Sequence, residues 1–189
     1  MRTKIAATIF LASIVLGAQS TAAYADSTVQ RTIDVRSSKA SFSVQHVFVE
    51  RVGGTVPILS GSLILPAGSQ IPLQASASLD ATKIDTGDPD RDGSLESPDF
   101  FDAGKFPIWT FTSTKVMSTG PDTFAMDGLL SVHGVTQAEH LSVTVVRDAA
   151  RLRYHAVAQI DRHAFGMAIT RLDPAIGSTV EVVLDLVLR

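Results

Sequence analysis

Residues 84–111 read IDTGDPDRDGSLESPDFFDAGKFPIWTF, and this stretch decides how the rest of the chain is read. It places Phe100, Phe101, Phe106, Trp109 and Phe111 among turn formers and acids, so five of the chain's twelve aromatic residues fall in one window. Aromatic side chains bury large areas, and a solvated loop has no use for so many. The segment is expected to fold back onto a core or to close the end of a cavity. Inside it, Ser97 can cap a helix, Pro98 suits a first helical position and Asp99 favours the positive end of the dipole. One or two helical turns are therefore predicted over residues 97–103.

Strand signals surround this loop. Ser41 to His46 alternates polar and apolar, placing Phe42, Val44, His46 and Phe48 on one face. Alternation returns at 62–65, 73–79, 109–112, 123–132, 141–145, 152–160 and 179–188, with turn formers such as Thr119-Gly120-Pro121-Asp122 between runs. Gly53-Gly54 reads as a bulge or a tight strand corner. No amphipathic helix of ordinary length separates the runs, which argues against a parallel βαβ sheet. About eight short strands with this punctuation predict an all-β antiparallel barrel or sandwich. Small residues at 75, 77, 128, 156 and 158 favour a barrel with space inside, because a packed sandwich core wants larger side chains there.

The N-terminus reads as a cleaved export signal. Met1 to Lys4 is cationic, Ile5 to Ala18 is apolar but short for a bilayer span, and Ala23-Tyr24-Ala25 offers a small-x-small cleavage site. The expected division is a leader over 1–25 and one soluble, periplasmic domain over 26–189. Without Arg2 and Lys4 the formal charge of −3 becomes −5. An acidic exported domain is a poor partner for nucleic acid or an anionic membrane surface. With no cysteine in the chain, stability in an oxidising compartment must come from the core.

Catalytic and metal signals are weak. The histidines at 46, 133, 140, 155 and 163 lack zinc-helix spacing and no cysteine joins them. His46 shares the inner face of its strand; a buried structural histidine is the commoner explanation, with a ligand contact as the alternative. His133 sits in a turn and is expected to brace it. Asp88, Asp90 and Asp92 have the spacing of the first half of a calcium loop, but position twelve is Asp99 and no flanking helices exist. Local carboxylate-to-backbone turns are the preferred reading. No activated nucleophile or phosphate-cradling loop is present. The expectation is a protein that is not an enzyme and carries no cofactor or metal.

At Ile84-Asp85-Thr86-Gly87, Arg91-Asp92, Leu95 and Ser97-Pro98-Asp99-Phe100-Phe101-Asp102 the chain closely resembles the YceI-like family of exported lipid-binding proteins. Lys105, Pro107, Thr110 and Phe111 continue the match. His133-Gly134-Val135-Thr136 and Phe165-Gly166-Met167 look like that family's later signatures, and the likeness runs from about Arg31 to Leu188. The resemblance implies a lipocalin-like, eight-stranded antiparallel barrel that binds a polyisoprenoid lipid, such as a quinone or polyprenyl compound, and forms homodimers in the periplasm.

On that reading Phe42, Val44, His46, Trp109, Phe111, Leu130, Phe165 and Met167 are the expected ligand-lining residues, with His46 near a headgroup. Phe100 and Phe101 would seal one end. Ser94 and Glu96 stand where the family usually has His and Arg, and basic residues common in the family around Gly53 to Val56 are missing. These departures point to a neutral lipid. Two other readings stay open: a stress-related adaptor without ligand, and an enzyme acting on a lipid or quinone through His46.

Overall fold

A computed structural model describes residues 27–46, 50–148, 151–167 and 173–189. The expected leader and Phe48 lie outside the described residues. The strands are β1 (Thr28–Thr32), β2 (Lys39–His46), β3 (Glu50–Thr55), β4 (Ile58–Pro66), β5 (Gln74–Asp80), β6 (Ile108–Ser118), β7 (Thr123–Val132), β8 (Val135–Asp148), β9 (Arg151–Asp161) and β10 (Ile176–Val187). One helix, α1 (Pro89–Glu96), lies between β5 and β6. All pairings are antiparallel, in the order β1-β4-β5-β6-β7-β8-β9-β10-β2-β3. The all-β antiparallel class expected from the alternation is the observed one.

Three details differ from expectation. Among the described residues the sheet has ten strands instead of eight, and its ladder is not closed, since the end strands β1 and β3 do not pair with each other. Two isolated bridges nevertheless bring the ends round. Ile33, just past β1, bridges Leu188 just past β10, while Thr55 in β3 exchanges hydrogen bonds of 2.7 and 3.0 Å with Asp85. Strand β1 gave no alternation because all five of its residues are exposed.

Strand β3 was hidden by Gly53-Gly54, which lie inside it. A Cβ on Gly54 would stand 2.7 Å from the Asp85 carbonyl oxygen and 2.8 Å from Phe42 Cζ, so only glycine lets the chains approach.

The third difference is the helix. Residues 97–103 form hydrogen-bonded turns, with Phe101 N–H donating to the Leu95 carbonyl and Ala103 N–H to that of Glu96, each at 3.0 Å. Asp102 adopts φ 45° there. The helix forms eight residues earlier because Asp88-Pro89 supplies the same cap-and-proline signal as Ser97-Pro98. Asp88 accepts from the backbone N–H of Asp90 and Arg91, and Asp90 and Asp92 occupy the first turn. The remaining acids also serve the backbone. Asp85 accepts from Gly87 N–H at 2.8 Å, and Asp92 accepts from Thr86 N–H and its hydroxyl at 2.8 and 2.6 Å.

The inner face of the sheet carries the core. Leu63, Phe124, Met126, Leu141, Val143, Val145, Tyr154, Ala156 and Ala158 are buried in one cluster, and Val132, Phe165 and Met167 in a second. Tyr154 is 1% exposed and its hydroxyl donates to the Gln70 carbonyl at 2.8 Å. Burial pushes its phenol up to about 12. This contact pins the β4–β5 loop over one end of the sheet. Among the described residues no helix is long and apolar enough to cross a membrane.

Candidate functional site: an apolar cavity inside the sheet

The inward side chains leave a cavity of about 230 Å³ whose wall is almost wholly apolar. Its shape follows from the strands. On β7 alone the lining residues run from Phe124 to Val132, eight steps or roughly 26 Å of strand at ~3.3 Å per residue. A modest volume drawn out over that length is a thread, suited to a chain and not to a disc-shaped cofactor. Space survives because Ala75, Ala77, Ala156 and Ala158 point into it between larger neighbours.

The long β5–β6 loop closes the end opposite the Tyr154–Gln70 contact. Leu95, Phe100 and Phe101 reach the cavity wall, and the Phe101 ring packs against Trp109 at 4.5 Å between centroids. Phe165, fully buried, belongs to a helical turn over Arg162–Phe165 that Asp161 caps through the His163 N–H at 3.0 Å. The turn is tied to the β7–β8 hairpin, where His133 and Gly134 take φ of 54° and 73°, both in the left-handed region that a two-residue hairpin of this type needs. His133 Nδ1 lies 3.1 Å from the Phe165 carbonyl oxygen, and its ring meets Phe106 edge-on at 5.7 Å. His133 thus braces a turn, as the sequence indicated.

Seven of the eight residues anticipated as lining stand in the cavity wall: Phe42, Val44, Trp109, Phe111, Leu130, Phe165 and Met167. His46 does not. It is the last residue of β2, paired with Glu50 and Ile176, and the register of β10 against β2 shifts between Ile176 and Val180. At this strand end His46 is half-buried and stays outside the wall, although its partner Ile176 stands in it. Sequence reading missed the wall supplied by β10, although Val180, Val182, Leu184 and Leu186 alternate plainly.

It also missed two charged residues of the wall, Arg162 and Glu139. Arg162, 5% exposed, donates through Nε to the Gly177 carbonyl at 2.9 Å and through its terminal nitrogens to those of Ile176 (2.9 Å) and Met167. It ties the start of β10 to the Met167 backbone, as a buried cation must be hydrogen-bonded to be tolerated.

Glu139 shares the inward parity of Leu141 and Val143 on β8. Burial first, and then the nearby Asp161 carboxylate, hold its carboxyl above the usual range. Trp109, anticipated as lining, also brings a polar atom: its Nε1 is buried and meets no acceptor among the described residues. Around the loop end the field is negative, since residues 80–102 hold eight acids against Lys83 and Arg91.

Comparison with known proteins agrees with this architecture. A UPF0312 protein of Azotobacter vinelandii is 32% identical over 137 residues, covering 72% of this chain and 70% of its own length. A UPF0312 protein of Vibrio vulnificus is 33% identical over 116 residues, 60% of this chain; the match spans 61% of that relative's length. Among solved structures, the chain resembles Burkholderia cenocepacia BcnA with a TM-score of 0.68 at 20% identity, over 82% of this chain and 98% of the other. It also resembles a polyisoprenoid binding domain from Saccharophagus degradans, with a TM-score of 0.65 at 19% identity over 84% and 97%. At these identities the two structures share the fold. The model of the YceI-like domain matches residues 32–188, and the chain belongs to that family.

Proposed function

We propose that the protein is a periplasmic, non-enzymatic carrier or reservoir for one long neutral lipid, of isoprenoid type, held as a thread inside the sheet. The single observation that carries this reading is the elongated apolar cavity bounded by Phe101 at one end and Tyr154 at the other. Each square ångström of lipid tail removed from water contributes about 25 cal/mol, so a chain laid along ~26 Å of strand is held without any charged contact. Family membership supports the reading, and the Saccharophagus neighbour is itself described as a polyisoprenoid binding domain. The leader expected over residues 1–25 supports export. A neutral head is favoured because the loop closing this end is rich in acids and Glu139 stands in the wall.

The adaptor reading requires a filled interior, which this cavity opposes. An enzyme acting through His46 draws no support from a histidine outside the wall.

Trp109 is the chain's one tryptophan and lines the cavity, so its fluorescence reports occupancy. Titration of delipidated protein with a long-chain isoprenoid quinone is expected to give a saturable change at one equivalent. No change, together with no retention of the lipid on gel filtration, would remove the carrier reading. Light scattering on the same preparation tests the homodimer that the resemblance implies.

A further inference from the structure

The geometry points to Trp109 as the residue that selects the ligand's head, donating its indole N–H to a neutral acceptor such as a carbonyl oxygen. This deepens the carrier reading and rests on it. Nε1 of Trp109 is a buried donor with no acceptor among the described residues, in a wall that is mostly apolar. Such orphaned groups are rare and costly in folded proteins. A phenylalanine would fill the same apolar space without that cost, so the N–H calls for a partner from outside the chain.

The surroundings of Trp109 narrow the partner's chemistry. Two residues along β6 and on the same face lies Phe111, whose ring covers Gly128. Gly128 pairs with Glu139 on β8. Trp109 and Glu139 therefore flank Phe111 in one stretch of wall. The Glu139 carboxyl group has no side-chain hydrogen bond or ion pair among the described residues, and Asp161 lies close enough to oppose its ionisation.

A phosphate placed here would meet the Glu139 carboxylate, while the Arg162 guanidinium in the same wall already donates to three backbone carbonyls. An ammonium head has no acceptor to offer the indole N–H. A carbonyl head meets neither objection: it carries no charge, and its oxygen supplies the bond that Nε1 lacks.

The test compares a C18 fatty amide with its hydrocarbon analogue and its alkyl phosphate, each delivered from cyclodextrin to the full exported protein at pH 7. Wild type is expected to prefer the amide over the hydrocarbon, and Trp109→Phe to reduce that preference about tenfold, the size expected for one buried hydrogen bond. The alkyl phosphate is expected to bind more weakly than the amide.

A preference unchanged in Trp109→Phe, or a phosphate that binds more tightly than the amide, overturns the inference and leaves the carrier reading standing. If no C18 compound binds wild type, the carrier reading falls with it. Should the variant fail to fold, the carbonyl stretch of ¹³C-labelled amide bound to wild type decides. A band shifted down from its position in hydrocarbon solvent supports the bond; an unshifted band overturns it.

Discussion

The ring of Phe111 lies across the bare Cα of Gly128, so close that a Cβ there would stand 2.3 Å from Phe111 Cζ and 2.7 Å from the Thr112 carbonyl oxygen. An inward glycine thus gives an aromatic ring its seat in the wall. Gly128→Ala must push the ring into the cavity or bend β6, and overpacking of this kind costs about 1–3 kcal/mol. Thermal unfolding should show a fall of several degrees, at ~2–4 °C per kcal/mol for a chain of this size. Adding Phe111→Leu should restore part of the loss. Equal melting temperatures for Gly128→Ala and wild type would contradict this account of the pair.

The β7–β8 hairpin should be equally intolerant of a side chain at Gly134. Its φ of 73° is left-handed, and a Cβ would meet the Phe106 ring at 2.5 Å. The backbone term alone is ~1–2 kcal/mol, and displacement of Phe106 adds to it. Gly134→Ala should unfold at lower urea with an unchanged slope. A larger loss than Gly128→Ala is not required; an unaltered midpoint would be the contrary result.

Glu139 makes a pH-dependent contribution whose sign is fixed by its surroundings. Its carboxyl is raised above 4.5 in the fold, by burial first and Asp161 second. The folded state therefore holds a proton that the unfolded chain has released, and stability falls as pH rises from about 4.5 through the folded value. Glu139→Gln should be more stable than wild type at pH 7, and the gap should close below pH 4. Melting curves at both pH values test this; a variant less stable at neutral pH would assign Glu139 a favourable partner.

Tyr154 is linked in the alkaline range. Its phenol is raised to about 12 by burial, so the fold loses stability as pH climbs from 10 towards 12. Tyr154→Phe should remove that alkaline sensitivity. At neutral pH it should cost roughly 1–2 kcal/mol, because the Gln70 carbonyl loses its donor. Urea unfolding at pH 7 and pH 11 separates the two effects; a variant with the same alkaline loss as wild type would refute the assignment.

What the sequence made legible follows from where side-chain periodicity survives. The strands holding Phe42, Phe111 and Leu130 alternate cleanly, and their inward residues line the cavity. Strand β1 was invisible because every residue is exposed, and β3 because Gly53-Gly54 mimics a break while serving a close approach to Phe42. The helix was placed at Ser97-Pro98, since Asp88-Pro89 carries the same local signal and only the packing of Leu95, Phe100 and Phe101 into the cavity chooses between them. His46 has the right parity, and its partner Ile176 lines the cavity, but His46 itself, at the end of β2, stays outside the wall. The unpartnered Trp109 nitrogen depends on three-dimensional neighbours, and no sequence pattern announces it.

The central claim is that the cavity carries a neutral chain lipid. Organic extraction of natively purified protein, followed by mass spectrometry, tests it most directly. The account predicts one long-chain lipid with an uncharged, carbonyl-bearing head at close to one equivalent per chain. Recovery of a polyprenyl phosphate or pyrophosphate as the sole ligand would contradict the neutral head, and an extract free of chain lipid from protein that also fails to take one up would contradict the carrier itself.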